Sequence, residues 1–144
     1  MTCLMLVSLV GCGKKDDNKS KFDIGNKSNV QISKNAVILS IKKETLTEKG
    51  ATFKLKNNDT IDYEYNDIYE IEIKQNGDWH KINVEIDFIQ MSYELKVGET
   101  KKFNLNWENT YGKLSSGQYR IIKEVYANNK QNNKYYISTE FVIK

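Results

Sequence analysis

The sequence predicts an all-β protein, an antiparallel β-sandwich of seven or eight strands, and three observations carry that reading. From Ala36 onward apolar residues recur at every second position, turn-forming Asn and Gly residues punctuate the runs, and no stretch sustains a helical stripe over three turns. Successive side chains of a strand point to opposite faces, so a period of two marks a strand with one dry and one wet side. With 144 residues, 39% of them hydrophobic, the chain has material for one core and one folded domain.

The amino-terminal end reads differently. Residues 1–11 contain the apolar run Leu4-Met5-Leu6-Val7-Ser8-Leu9-Val10. It is too short for the roughly 20 residues of a membrane-spanning helix but suits the apolar region of a secretory signal. Its end, Leu9-Val10-Gly11-Cys12, resembles the bacterial lipobox. That resemblance implies cleavage before Cys12 and a diacylglyceryl group on its thiol, the palmitate-type anchor of a lipoprotein on the extracytoplasmic face of the cell membrane. Two acyl chains give stable anchoring where one is marginal. Only Thr2 and Cys3 separate Met1 from the apolar run, so the basic start of a signal is missing and the true start is expected upstream. Residues 12–35, with Lys14, Lys15, Asp16, Asp17, Lys19, Lys21, Lys27 and Lys34 among Asn and Ser, hold too few apolar groups to offset ordering entropy. They are expected to form a lipidated flexible tether ahead of a domain spanning 36–144. Both cysteines lie in the first twelve residues, so the domain has no thiol for a disulfide, a metal cluster or a nucleophile.

Within the domain, strands are expected near 36–44, 50–57, 67–75, 78–84, 91–96, 100–107, 117–126 and 134–144. Ala51, Phe53 and Leu55 alternate with Thr52, Lys54 and Lys56; Tyr69, Ile71 and Ile73 with Glu70, Glu72 and Lys74; Phe103, Leu105 and Trp107 with Lys102, Asn104 and Asn106. The breaks fall at Lys49-Gly50, Asn57-Asn58-Asp59, Asn76-Gly77-Asp78, Val97-Gly98-Glu99, Ser115-Ser116-Gly117 and the Asn pairs at 128–129 and 132–133. Asn and Gly accept the positive φ that tight turns demand. Trp79 and Trp107 read as core or sheet-packing aromatics.

Leu114, Gly117 and Tyr119, set before an apolar strand, resemble the tyrosine corner of immunoglobulin-like sandwiches, in which the phenol bonds back to the backbone of the preceding turn. A wider likeness follows. Tyr93-Glu-Leu-Lys-Val-Gly-Glu-Thr through Phe103, Leu105 and Trp107, then Tyr111-Gly-Lys-Leu and Gly117-Gln-Tyr-Arg-Ile, resembles the bacterial immunoglobulin-like domain family found in lipoproteins and membrane proteins of Gram-positive bacteria. Gly50-Ala-Thr-Phe-Lys-Leu-Lys-Asn and Gly77-Asp-Trp extend the likeness to 36–144. Family members often have Pro where Val97 and Ser116 stand. The resemblance implies a non-catalytic extracytoplasmic module and transfers no catalytic residues.

The residues suggest no reaction centre of their own. His80 is the only histidine, beside Trp79, and a zinc site or a Ser-His-Asp triad would have to recruit it alone. The acidic run from Asp59 to Glu72 lacks the glycine and terminal Glu spacing of a calcium loop, so no metal or cofactor is expected. A net charge of +3 requires no nucleic acid. Tyr63, Tyr65 and Tyr69, beside these acids, form the candidate contact surface for a protein or glycan, since Tyr offers rigid area at low entropic cost. The alternative function is a proteinase inhibitor that projects Glu108-Asn109-Thr110-Tyr111 as a loop.

Overall fold

The alternating runs become strands, Asn76-Gly77 and Gly98 become turns at positive φ, and Gly50, Asn57 and Gly117 lie at strand ends. The computed structural model describes residues 22–33, 36–89, 91–128 and 133–144. Among these, the strands are β1 (Asp23–Lys27), β2 (Val37–Lys42), β3 (Gly50–Asn57), β4 (Tyr63–Gln75), β5 (Asp78–Asn83), β6 (Ser92–Leu95), β7 (Thr100–Asn106), β8 (Gly117–Ala127) and β9 (Lys134–Ile143), with a helical turn α1 (Glu108–Tyr111). One sheet runs β1-β5-β4-β8-β9, with β6 also pairing β4, and a second runs β2-β3-β7. All pairings are antiparallel. The expected sandwich is therefore present, with nine strands rather than seven or eight.

The strand β4 is the organising element because its thirteen residues serve three partners. Tyr63–Asn66 pairs β6, Glu72–Gln75 pairs β5, and β8 runs along the opposite edge. The hairpin into β5 turns on Asn76 at φ 51° and Gly77 at φ 85°, the successive positive values that a two-residue turn matching strand twist requires. The ladder with β8 is interrupted between Tyr65, opposite Val125, and Tyr69, opposite Lys123. There β4 advances four residues while β8 advances two. An even excess preserves the face, so the tyrosines on both sides of this bulge stay inward.

Between the sheets an aromatic column fixes the core. Trp107 stacks on Phe141 at 5.6 Å, Phe141 on Tyr119 at 5.7 Å, and Phe22 meets Tyr119 edge-on at 6.4 Å. Trp107 is fully buried and its indole N–H donates to the Glu48 carbonyl at 2.8 Å. Close approach of β3 to β7 depends on Gly50, where a Cβ would lie 2.2 Å from the Leu105 carbonyl oxygen.

Two expectations are corrected. The tether does not run to residue 35, because Phe22 is buried and Asp23–Lys27 forms β1 on the edge of β5. Residues 28–33 then cross the outer side of the larger sheet: the Ser28 N–H donates to the Trp79 carbonyl and the Ser33 N–H to the Tyr136 carbonyl, both at 2.8 Å. A short polar segment is ordered here by pairing with a strand that already exists, which needs no apolar pattern of its own. Nor does Glu108-Asn109-Thr110-Tyr111 project. It is the helical turn α1, drawn in by Tyr111, whose buried phenol accepts the Ile71 N–H at 3.1 Å. Cys12, with the signal segment and the first ten positions of the expected tether, lies outside the described residues.

Candidate binding cleft

The inward face of β8 reads Tyr119, Ile121, Lys123, Val125, Ala127, and its four apolar members are completely buried. Lys123 shares that face and is 2% exposed. Its ammonium donates to the carbonyls of Asn66 at 2.7 Å and Ile68 at 3.1 Å, in the bulged stretch of β4, and lies 5.3 Å from the centre of the Phe103 ring. Burial lowers its pKa from 10.5 to about 8, with Asp67 opposing the shift. The lysine thus supplies donors to backbone that the interrupted ladder has left without its usual partner.

Above Lys123 a cleft of about 560 Å³ opens between β4, β6 and the edge of β7. The rings of Tyr65 and Tyr93 lie 5.3 Å apart, and those of Tyr69 and Phe88 also 5.3 Å apart. Four consecutive residues of β7, Phe103 to Asn106, line it, as do Asn109 and Thr110 of α1. Consecutive residues alternate between faces, so β7 presents its edge there, and among the described residues β3 is its one strand partner. The Tyr93 hydroxyl donates to Asp67 at 2.9 Å, a bond that raises the Tyr93 pKa. Burial raises the pKa of Tyr65 and pushes that of Tyr69 up to about 12, so all three phenols remain neutral donors near pH 7. Aromatic faces combined with amide groups that both donate and accept can hold a ligand with apolar faces and polar edges.

The tyrosines expected to form a contact surface divide. Tyr63 is 2% exposed, with its hydroxyl donating to Asp59 at 2.7 Å, and belongs to the core. Tyr69 is likewise in the core but also borders the cleft, while Tyr65 is the half-exposed member. All three sit on the inward side of β4, and only the open side of the sandwich exposes part of it. The acids beside them are separately engaged: Asp62 accepts the Val97 N–H at 2.8 Å, and Glu72 is buried with Arg120. Among the described residues no group of three or more His, Cys, Asp and Glu side chains could hold a metal ion. His80 places Nδ1 3.2 Å from the Gly25 carbonyl, and Trp79 lies against the Arg120 guanidinium at 4.8 Å on the outer side of the sheet, away from the column.

At the other end of β8 the Tyr119 hydroxyl donates to the Ser115 carbonyl at 2.8 Å. Leu114 is buried beside it, and a Cβ on Gly117 would lie 3.2 Å from the Tyr119 ring. Sequence reasoning missed Lys123, Phe88, Tyr93 and the Asn-bearing edge of β7. For Lys123 a signal existed: it occupies an inward position in the alternation of β8. Tyr93 and Phe88 carried none, since their place depends on where β6 docks.

The sequence profile of a family described as bacterial Ig-like domain matches residues 28–141. Comparison with curated proteins and with solved structures gave no match.

Proposed function

The chain belongs to the bacterial Ig-like domain family, and on that premise we propose that it is a non-catalytic binding module, held at the extracytoplasmic face of the membrane by lipid on Cys12, that takes a glycan in the Tyr65–Tyr93 cleft. The lipobox-like Leu9-Val10-Gly11-Cys12 supports the anchor. The single observation that carries the ligand class is the paired Tyr65 and Tyr93 rings facing a rim of Asn104, Asn106 and Asn109. Sugar rings present C–H faces that pack on aromatics and hydroxyls that need both donors and acceptors. Asn side chains offer both without the desolvation cost of a charge, and here Asn104 Oδ1 already accepts from the Thr52 hydroxyl at 2.7 Å and Asn106 Oδ1 from the Glu108 N–H at 3.0 Å.

Titrating the chain against a panel of soluble oligosaccharides by NMR tests the reading. Binding should perturb Tyr65, Tyr93 and Asn106, and Tyr93→Ala should weaken it by about tenfold or more, equivalent to about 1.4 kcal/mol. Perturbation confined to other surfaces, or binding of extended peptides in place of sugars, would overturn the glycan assignment. Mass spectrometry of the mature amino terminus tests the anchor separately. A chain that retains residues 1–11 without lipid would refute it.

A further inference from the structure

The strands β2, β3 and β7 together contain five lysines, Lys42, Lys54, Lys56, Lys101 and Lys102, and no Asp or Glu. The register sorts them. Phe53 pairs Phe103 and Leu55 pairs Lys101 on the core side, while Lys54 sits directly opposite Lys102 on the outer side. Ser40 pairs Lys54, Ile38 pairs Lys56 and Lys42 pairs Thr52 on that same outer side. Lys42 is engaged by Glu44 at 3.5 Å, but among the described residues Lys54, Lys56 and Lys102 form no ion pair. Like charges directly opposite across strands destabilise a sheet, and here the strands themselves supply no carboxylate, Glu44 beyond the end of β2 being the acid that acts on Lys42 and Lys54. The larger sheet, by contrast, carries acids on six of its strands, including Glu64, Asp67, Glu70 and Glu72 on β4 alone. The charge is therefore segregated by sheet, beyond what the modest net charge of +3 implies.

We propose that the outer face of the β2-β3-β7 sheet docks on the anionic headgroups of a phospholipid bilayer. An array of ammonium groups without ion-pair partners among the described residues complements a plane of phosphate charge, and Ile38, 47% exposed on the same face, can enter the interfacial layer. Chain length makes the contact reachable. Ten Cα steps separate Cys12 from Phe22, the first described residue, and span at most about 36 Å. The inference rests on the proposed anchor for proximity alone, because the recognition belongs to the folded face.

The test uses the full chain carrying Cys12→Ser, so that no lipid contributes, in flotation with vesicles of phosphatidylcholine alone and with phosphatidylglycerol added. Binding should occur only to the anionic vesicles and fall steeply as salt rises. Replacing Lys54, Lys56 and Lys102 together by Gln should lower the partition coefficient by about a hundredfold, at about fivefold per lysine near a charged surface. Replacing Lys14, Lys15 and Lys19 by Gln should leave most of the binding. Circular dichroism on both variants establishes that each remains folded. Failure of the Cys12→Ser chain to bind anionic vesicles overturns the proposal. So does binding lost through the Lys14, Lys15 and Lys19 replacements but kept without Lys54, Lys56 and Lys102, or equal affinity for soluble polyglutamate. Because the chain tested has no lipid, none of these results bears on the anchor, which the mass of the mature amino terminus decides.

Discussion

Lys123 shows how a single side chain can serve geometry at an electrostatic cost. Its folded pKa of about 8 lies below the 10.5 of the free side chain, because burial penalises the charged form. Between those values the unfolded chain binds more protons than the folded one, so stability rises as pH passes upward through 8. Below 8 the cost of the buried charge is fully present. Over the whole window the gain is on the order of 3 kcal/mol. The buried phenols act in the opposite sense: Tyr69 at about 12, with Tyr111 and Tyr119 also raised by burial, ionise later than they do in the unfolded chain. Stability should therefore climb from pH 7, peak between about 9 and 10 and then fall. Urea midpoints across pH read this directly, and in Lys123→Met the climb should vanish while the fall remains. Tyr119 makes a simpler contribution through its 2.8 Å bond to the Ser115 carbonyl. Tyr119→Phe should cost about 1–3 kcal/mol by leaving that carbonyl without its donor. An unchanged urea midpoint would show that the bond adds nothing. The Glu72–Arg120 pair follows a different logic: both are buried, at 2.6 Å, with Trp79 and Ser28 around the guanidinium. Desolvation offsets much of such a pair's attraction, so it serves more to fix the path of residues 28–33 than to add net stability.

At the scale of elements, β1 and β4 are the two whose roles depend on partners. Asp23-Ile-Gly-Asn-Lys offers one apolar residue and no alternation. Its strand conformation comes from β5, with Ile24 opposite Ile82 and Lys27 opposite His80. Ahead of it, Phe22 closes the aromatic column against Tyr119. A chain starting at residue 36, the boundary that the alternating pattern suggests, would lose that ring, expose the edge of β5 and remove Ser28 from Arg120. It should be less stable than one starting at residue 22 by about 3 kcal/mol or more, the scale of deleting one buried Phe side chain. Comparing urea midpoints of the two chains checks this, and equal midpoints would make β1 a peripheral addition. The family match begins at residue 28, after β1, so this strand lies outside the matched segment. In β4 the bulge has a constructive effect. It interrupts one ladder, hands two carbonyls to Lys123 and opens the side of the sandwich where Tyr65, Tyr93 and the β7 edge meet.

Across the whole molecule, the sheets differ in charge as well as in strand number, and the aromatic column joins them at one end while the cleft lies along an open side. Much of this architecture was legible in the sequence. The period of two placed eight strands within a few residues of their observed limits, apart from an earlier start to β4. Asn76-Gly77 and Gly98 marked turns because those residues tolerate the positive φ found there, and Leu114, Gly117 and Tyr119 marked a corner. An apolar side chain must leave water whichever strand lies beside it, so alternation determines which side of each strand is dry. It does not determine which strand lies beside it. Tertiary structure alone decided that β6 would dock on β4 and bring Tyr93 to Tyr65, that β1 would form at all, and that Lys123 would be buried while Lys54, Lys56 and Lys102 gathered on one wet face. A lysine in an alternating run reads the same in either environment. Register between segments distant along the chain settles which environment it meets, because only neighbouring strands supply the carbonyls that satisfy a buried ammonium or the like charges that leave an exposed one unpaired.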